Sequence, residues 1–534
     1  MVTVKEQHLE WALKHLLKYS HSDFFPRMFE YSAISHNWPQ VRKYILSQDL
    51  NDYVPKTASH YLAYKYNRTF RIVRQLEPID SLIYTALIRE VCEVIENYRI
   101  PESENIVCSY RIKPNLDGNF FPDENCWKTF TSKSEELSEK YKSGYVLICD
   151  ITDFYNQINI HNIEGLITEA SKGAFKKQAK IIHEFMLNLN PARGSRGIPV
   201  GPKPSIVLSE LVMASVDNYI KTFATDFVRY VDDIRIFFST YSEAVVALHN
   251  LTDFIHSAHL LVLSGEKSKI LSTKRFRKES LRDEEREAND TVLAIANEQA
   301  QEKLDELFND LPPYTEDIDW EEEYDKAFKE ILKDEHFKLL SDTYSKLFSK
   351  SLETKASTDF SLLRYILIRA RSYRIRSIIP LVLDNFERLL PLLREIVIYL
   401  YAVVNDEVVT RYKTEFEAVL SSYYMNLPLV NLWIARLLSK KCFNVIDLPN
   451  EYTKFLTIRS KSIIALRRQD TTWVRSFRGK MNDLGSWDKR AVMYASSVLP
   501  LNEMKPWISN IGTSDDIIEQ SISSFLISKK KSSE

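Results

Sequence analysis

The chain has 534 residues, 44% of them hydrophobic and 27% charged, with a formal net charge of −2. This composition excludes a mainly disordered chain, and the length predicts two to four domains. The longest apolar run, residues 396–404, is too short to span a membrane, and residues 1–10 lack the apolar segment of a secretion signal. Five scattered cysteines without a Cys-x-x-Cys pair predict reduced thiols, so we expect a cytoplasmic protein with no membrane partner.

The first half of the chain begins with a helical segment and continues with a strand and a helix. Residues 1–59 are predicted to be helical because leucines recur on one face near the start. The alternating residues 71–74 (RIVR) predict a strand, which Pro78 ends, and Asp80 opens a helix with an apolar stripe. The fork of arginine suits phosphate, and a surface strand with two solvated arginines is the alternative.

Carboxylates stand at the ends of two apolar segments further along the chain. The run 145–149 (YVLIC) predicts a buried strand that ends in Asp150, and residues 227–238 predict a β-hairpin with Asp232 and Asp233 at its tip. If the strand lies beside the hairpin, Asp150 and Asp232 converge. Mg²⁺ prefers one or two carboxylates together with substrate phosphates, and two such ions can clamp a phosphoryl transfer. A solvated turn is the alternative for the hairpin tip.

A glycine-rich loop lies between these two segments. Residues 197–202 (GIPVGP) follow a basic stretch, and the glycines allow close approach of a nucleotide to the backbone. Prolines 202 and 204 lead into a helix that we predict to begin near Ser205.

Together these motifs resemble the reverse transcriptase family. Residues 230–233 (YVDD) match its Tyr-x-Asp-Asp box, and Asp150 followed by Phe154 and Tyr155 matches its first catalytic box. The loop 197–202 with Ser205 matches the substrate-positioning loop, and the order and spacing are those of the family. The resemblance covers about residues 60–275. The sequence departs from it at Val200, where many members carry a glutamine that helps to place nucleotide and template.

The resemblance implies an enzyme, an RNA-directed DNA polymerase that acts on dNTPs, and it assigns roles to individual residues. They are catalytic Asp150, Asp232, Asp233 and Lys267; Arg71, Arg74, Tyr155, Gly201 and Pro202 at the substrate; and Asp150, the carbonyl of Ile151 and Asp232 at two Mg²⁺ ions, with Mn²⁺ as a substitute. The ring of Tyr155 is expected to clash with a ribose 2′-hydroxyl and so to favour deoxynucleotides. Lys267 is placed where a cation could act as general acid on the leaving pyrophosphate. A solvated turn lysine is the alternative for Lys267.

The second half of the chain differs in charge and in predicted structure. Residues 281–340 hold 20 Asp and Glu against 7 Lys and Arg, whereas residues 360–534 hold 26 Lys and Arg against 17 Asp and Glu. Serial helices with short loops predict a HEAT-like domain, with a compact bundle as the alternative. Its two arginine clusters, a first one within residues 364–376 and a second one within residues 467–480, fit either nucleic acid or charge balance against the acidic connector or a neighbouring subunit.

The predicted fold is therefore α+β, a reverse-transcriptase fingers–palm core followed by an all-α HEAT-like domain. We predict four parts: an N-terminal helical segment at 1–59, fingers and palm at 60–280, an acidic helical connector at 281–340, and the helical domain at 341–534.

A polymerase core followed by a long helical region resembles the bacterial abortive-infection, or defence-associated, reverse transcriptases of the AbiK-like group. That resemblance implies antiphage defence, DNA synthesis that needs no template, a tyrosine as protein primer with the DNA product covalently attached, and a homo-oligomer. Tyr19, Tyr31, Tyr423 and Tyr424 are candidate primers. Two alternatives stay open: a conventional RNA-templated enzyme with an associated noncoding RNA as partner, and a non-catalytic helical scaffold.

Overall fold

The computed structural model of the protein describes residues 2–66, 69–122, 126–189, 194–281, 335–353, 358–511 and 515–531. Most of the predicted acidic connector, residues 282–334, lies outside the described residues. Within the described ones, no helix has both the length and the apolar character that a membrane span requires.

A four-stranded antiparallel sheet forms the centre of the first half. Its strands are β3 (Tyr145–Cys149), β4 (Phe227–Tyr230), β5 (Asp233–Phe238) and β6 (Lys269–Ser272), in the spatial order β4-β5-β3-β6. Strand β3 lies beside β5, with Cys149 opposite Ile234. The predicted adjacency of the Asp150 strand and the hairpin is therefore confirmed.

A second, two-stranded sheet precedes this one in the chain. It consists of β1 (Ser59–Tyr64) and β2 (Phe70–Gln75). Pro78 follows β2 and begins the next helix, because proline lacks an N–H and fits the first helical position.

Helices precede the four-stranded sheet in the chain, and further helices lie between its strands and after the last one. They are α1 (Glu6–Tyr19), α2 (Glu30–His36), α3 (Trp38–Leu46), α4 (Pro78–Tyr98), α5 (Cys126–Lys140), α6 (Phe154–Gln157), α7 (Ile160–Ala170), α8 (Lys176–Leu189), α9 (Lys203–Ile220), α10 (Tyr241–His259) and α11 (Thr273–Phe276). The predicted helix after the glycine-rich loop is confirmed as α9, and its middle is buried almost all round.

The described residues from Glu335 onward contain helices and no strands. They are α12 (Glu335–Glu353), α13 (Phe360–Ser372), α14 (Ile379–Asp384), α15 (Leu393–Val403), α16 (Asp406–Arg411), α17 (Lys413–Ser421), α18 (Pro428–Leu438), α19 (Asn450–Phe455), α20 (Ile458–Arg468), α21 (Thr471–Arg475), α22 (Ser486–Ala495), α23 (Leu501–Ile511) and α24 (Ile517–Lys531). The predicted helical C-terminal region is confirmed, whereas its HEAT-like stacking stays a prediction.

Contacts divide the chain into two compact units. The first contains the described residues of Met1–Tyr61, Ile72–Asp283 and Ser514–Phe525, and so includes the four-stranded sheet and the start of α24. The second contains those of Leu62–Arg71, Glu284–Thr513 and Leu526–Glu534. In the second unit, Tyr66 stacks on Phe360 with a ring-centroid distance of 4.9 Å.

Candidate active site

The β4–β5 hairpin ends in a two-residue turn made by Val231 and Asp232. Tyr230 pairs with Asp233 across the turn, so Asp233 is the first residue of β5 rather than part of the loop. Val231 has a φ of 55°, in the left-handed region. Asp232 and Asp233 are therefore consecutive residues at the turn end of the hairpin.

Asp150 lies at the same end of the sheet, directly after the neighbouring strand β3. It directly follows Cys149, whose partner Ile234 directly follows Asp233. Its backbone is fixed from the other side as well, because the Ser264 N–H donates to the Asp150 carbonyl at 2.7 Å. Asp150 raises the pKa values of both hairpin aspartates, so the structure brings the three predicted acids within electrostatic reach of one another.

The hairpin carboxylates carry perturbed pKa values. Burial, followed by the charges of Asp233 and Asp150, raises the pKa of Asp232 to about 6. Burial and Asp150 also raise the pKa of Asp233. Mutual repulsion of this kind is relieved when a cation binds between the carboxylates.

Lys267 supplies a positive charge at this point. Its Nζ donates to Asp150 Oδ1 at 2.9 Å, although its side chain is 66% exposed. Burial lowers its pKa, but the bond to Asp150 and the charges of Asp232 and Asp233 outweigh burial and raise it. Lys267 therefore contacts one of the three acids, and its role as a general acid stays a prediction.

The Ile151 carbonyl takes no part in the two hydrogen bonds that flank the β-bridge of this residue. Ile151 forms a β-bridge with Leu263, and the two flanking hydrogen bonds use the Asp150 carbonyl and the Thr152 N–H. Neither bond uses the Ile151 carbonyl. This is consistent with the predicted use of that oxygen as a metal ligand.

The donor atoms fit a hard divalent cation, since they are carboxylate and carbonyl oxygens at a site of excess negative charge. The side chains as placed do not yet form a chelate: among the described residues, no group of three or more His, Cys, Asp or Glu could hold a metal ion. The ammonium of Lys267 binds the Asp150 carboxylate in this arrangement. The oxygen donors and their negative charge thus suit a divalent cation, which would take the place of the Lys267 ammonium at the Asp150 carboxylate.

Tyr155 lies in the short helix α6, five residues after Asp150. Its hydroxyl accepts a hydrogen bond from Ser209 of α9 at 3.1 Å, and burial raises its pKa. The charge of Asp232 also raises the pKa of Tyr155. The predicted role against ribonucleotides stays a prediction.

The loop with Gly201 and Pro202 is packed against the N-terminal segment. Gly201 has a φ of 128°, and a Cβ there would lie 2.6 Å from Ser22 Oγ. Pro202 precedes α9, and Lys203 forms an ion pair with Asp23 at 3.0 Å. The structure thus explains the glycine by the close approach of Ser22 from the same chain, which the sequence did not indicate.

The two candidate phosphate ligands of β2 differ in environment. The Arg74 side chain is buried. Its backbone N–H donates to the Val200 carbonyl at 3.0 Å, which connects β2 to the glycine-rich loop. Arg71 is exposed and belongs to the second contact unit. Their binding of phosphate stays a prediction.

A buried ion-pair network behind the turn was missed by sequence reasoning. Arg229 is fully buried and forms ion pairs with Asp217 at 2.7 Å and Glu210 at 3.0 Å. Arg99, at the end of α4, also contacts Glu210 at 2.7 Å. The available signal was an arginine inside an apolar strand, together with two acids seven residues apart on a helix that is mostly apolar.

Several arginines of the first cluster in the helical unit have internal roles. Arg374 and Arg376 donate to the carbonyls of Ala402 and Val403, at the C-terminus of α15. Cations favour that end of a helix because its carbonyls are unsatisfied. These two arginines therefore brace the helical unit.

Comparison with protein-family models identifies the domain that contains this site. Residues 101–303 match the model described as reverse transcriptase (RNA-dependent DNA polymerase). The chain thus contains a reverse transcriptase domain and is an enzyme of the RNA-directed DNA polymerase class. The matched range includes Asp150, Asp232, Asp233 and Lys267, but not Arg71 or Arg74.

Other comparisons add little. No curated protein sequence matches the chain. Two similar solved structures are apo telomerase from Candida tropicalis, with 12% identity and a TM-score of 0.34 over 76% of this chain and 73% of that one, and telomerase from Candida albicans in complex with a fragment of telomeric RNA, with 12% identity and a TM-score of 0.31 over 81% and 70%. Both scores are too low to carry an argument.

Proposed function

We propose that the protein is a DNA polymerase of reverse-transcriptase type that joins dNTPs by two-metal nucleotidyl transfer. Asp150, Asp232 and the Ile151 carbonyl are the proposed ligands of two Mg²⁺ ions, which Mn²⁺ could replace, and Asp233 adds negative charge beside them. The observation that carries the proposal is the register of β3 against β5, because it brings Asp150 to the edge where the hairpin turn lies.

Each proposed residue has a distinct task. Bound divalent ions would stabilise the charge that develops on the attacking and leaving oxygens. Lys267, once a cation replaces it at Asp150, is free to donate a proton to the leaving pyrophosphate. Arg71 and Arg74 bind triphosphate, the loop at Gly201 and Pro202 positions the nucleotide, and the Tyr155 ring excludes the ribose 2′-hydroxyl.

The sequence resemblance supports a finer proposal, a template-independent, protein-primed enzyme of antiphage defence in the AbiK-like group. A HEAT-like stacking of the serial helices and a homo-oligomer belong to the same proposal. Burial narrows the candidate primers: Tyr31 is fully buried, whereas Tyr423 is 86% exposed. Tyr423 lies at the start of a short 3₁₀ turn, Tyr423–Asn426, where its hydroxyl is accessible.

An incorporation assay tests the activity. Purified protein is incubated with labelled dNTPs and Mg²⁺, and we expect D150N to abolish labelling. The matched control is D153N, three residues away, where the exposed Asp153 accepts a hydrogen bond from Asn156. Equal activity of wild type and D150N would contradict the proposed site.

The same assay separates the alternatives. Products without any added nucleic acid favour template independence, and products only with RNA favour a conventional RNA-templated enzyme with a noncoding RNA. Loss of the labelled product after protease treatment, judged by its mobility on a denaturing gel, reports covalent attachment. Full biological activity of D232A would favour the non-catalytic scaffold.

A further inference from the structure

A buried arginine holds the catalytic turn in a strained backbone conformation. The φ of 55° at Val231 is one that a β-branched residue rarely adopts, because its Cβ crowds the following carbonyl. Arg229 Nη1 donates to the Val231 carbonyl oxygen at 2.7 Å. This hydrogen bond acts on the residue immediately before Asp232.

The guanidinium has no freedom left once these contacts are made. Its Nε donates to Asp217 Oδ1 and its Nη2 to Asp217 Oδ2, both at 2.7 Å, so that pair is bidentate. Nη2 also donates to Glu210 at 3.0 Å. The planar fork is thus held at two edges, and its remaining nitrogen, Nη1, makes its shortest hydrogen bond to the turn, with Ser109 Oγ and Glu210 Oε1 further away at 3.4 Å.

The acids that hold Arg229 come from the helix that follows the glycine-rich loop. Glu210 and Asp217 both lie on α9, which begins at Lys203. Arg99 bonds Glu210 from α4 and also donates to the Ser109 and Tyr110 carbonyls. Arg229 is thereby held by two acids of α9, and one of these acids, Glu210, is also bonded by Arg99 at the end of α4.

Stability alone gives no reason for such a network. Buried ion pairs pay a desolvation cost that their attraction often only offsets, and well-packed apolar residues can replace them without loss. What an apolar cluster cannot do is donate a directed hydrogen bond to a carbonyl in a tight turn.

We propose that Arg229 is a positioning residue: through the Val231 carbonyl it fixes Asp232 and Asp233 opposite Asp150 before any metal binds. This inference rests on the proposed metal site. Residues that orient metal ligands in this way typically change metal affinity about 10- to 100-fold when mutated.

The test measures Mn²⁺ binding by electron paramagnetic resonance, with R229K compared with R99K. Both variants put a lysine in place of a buried arginine that bonds Glu210, but only Arg229 contacts the turn. We expect R229K to raise the Mn²⁺ dissociation constant about 10- to 100-fold and R99K to change it by less than about threefold. Thermal unfolding is measured on both, and lower melting temperatures in both are expected. Equal Mn²⁺ affinity in R229K and wild type, or equal weakening in both variants, would overturn the inference.

Hydrogen exchange on the wild type gives a second measurement that needs no variant. In the metal-free protein we expect the amides of Val231 to Asp233 to exchange as slowly as those of β5. Exchange at unprotected rates would overturn the inference even if R229K does not fold. Failure of the proposed metal site is distinguishable, because wild type and D150N would then bind Mn²⁺ equally or not at all.

Discussion

At the scale of the residue, the acidic cluster makes the stability of the metal-free protein depend on pH. The pKa of Asp232 is about 6 in the folded state, above the ordinary 3.8, so the native state binds the proton more tightly. The stability that this provides is complete below about pH 4 and is lost as the pH rises through about 6. We therefore expect D232N to gain stability relative to wild type as the pH rises from 5 to 7.5.

Urea unfolding at several pH values, in the presence of a chelator, measures this difference. Burial also raises the pKa of Asp80, to about 7, but Asp80 is present in both proteins and cancels in the comparison. Saturating Mn²⁺ should remove the advantage of D232N, because the cation neutralises the repulsion. A difference between D232N and wild type that does not vary with pH would contradict the raised pKa.

Tyr155 gives a prediction about the choice of sugar. If its ring excludes the 2′-hydroxyl, Y155V should lower the preference for dNTPs over rNTPs by at least about tenfold, measured as the ratio of kcat/KM values. Y155F keeps the ring and should keep the preference. S209A removes the hydrogen bond to the Tyr155 hydroxyl, together with the bond to the Ile206 carbonyl within α9, but leaves the ring in place and is a second control. An unchanged ratio in Y155V would assign discrimination to another residue.

The sequence predicted the acids but not the residue behind them, for a physical reason. Asp150, Asp232 and Asp233 stand out because carboxylates at the ends of apolar strands are costly without a purpose. Arg229 stands inside an apolar strand, but its neighbours in the strand do not show whether its side chain is buried or exposed. Its burial depends on Glu210 and Asp217, which neutralise it from the preceding helix α9, 19 and 12 residues earlier in the chain. The sequence shows these two acids but not the packing that brings them to the strand.

At the scale of the element, the loop before α9 depends on one glycine. An L-residue at position 201 would be strained by the φ of 128° and would clash with Ser22. We expect G201A to lower the stability of the catalytic unit by more than about 1 kcal/mol and to raise the KM for dNTPs. Urea unfolding and steady-state kinetics measure both effects.

The matched control for G201A is G165A, inside helix α7. Nothing lies within 4 Å of a Cβ at Gly165, and its φ is ordinary. Alanine there should stabilise the protein by about 0.5–1 kcal/mol, because it reduces the freedom of the unfolded chain. If G201A behaved like G165A, the close contact with Ser22 could not be what requires the glycine.

Helix boundaries show how far periodicity carries. The apolar spacing predicts one helix over residues 451–468, but the structure contains two, α19 and α20. The break follows from Thr457, whose side chain accepts a hydrogen bond from the Ser460 N–H and so caps the second helix. Periodicity reports which face is buried, whereas a cap decides where the helix begins.

At the scale of the whole molecule, the last described helix completes the unit that contains the three proposed catalytic acids. The part of α24 up to Phe525 belongs to that unit although hundreds of residues separate it from the sheet. The Asn37 side chain donates to Ser521 at 3.0 Å, and the rings of His36 and Phe525 lie 5.6 Å apart. No sequence pattern predicted this contact, because it joins a helix of one half of the chain to the end of α2 and the residue after it in the other half.

Ile522 provides the test of that contact. It is fully buried on α24, so I522A should cost about 2–5 kcal/mol through lost burial and the cavity left behind. Ser524 lies on the same helix and is exposed, so S524A should change stability by less than about 0.5 kcal/mol. Because the helix contacts the end of α2 and Asn37, which joins α2 to α3, hydrogen exchange in residues 30–46 should accelerate in I522A and not in S524A. Unchanged exchange there, with a lowered melting temperature, would mean that Ile522 stabilises only its own helix.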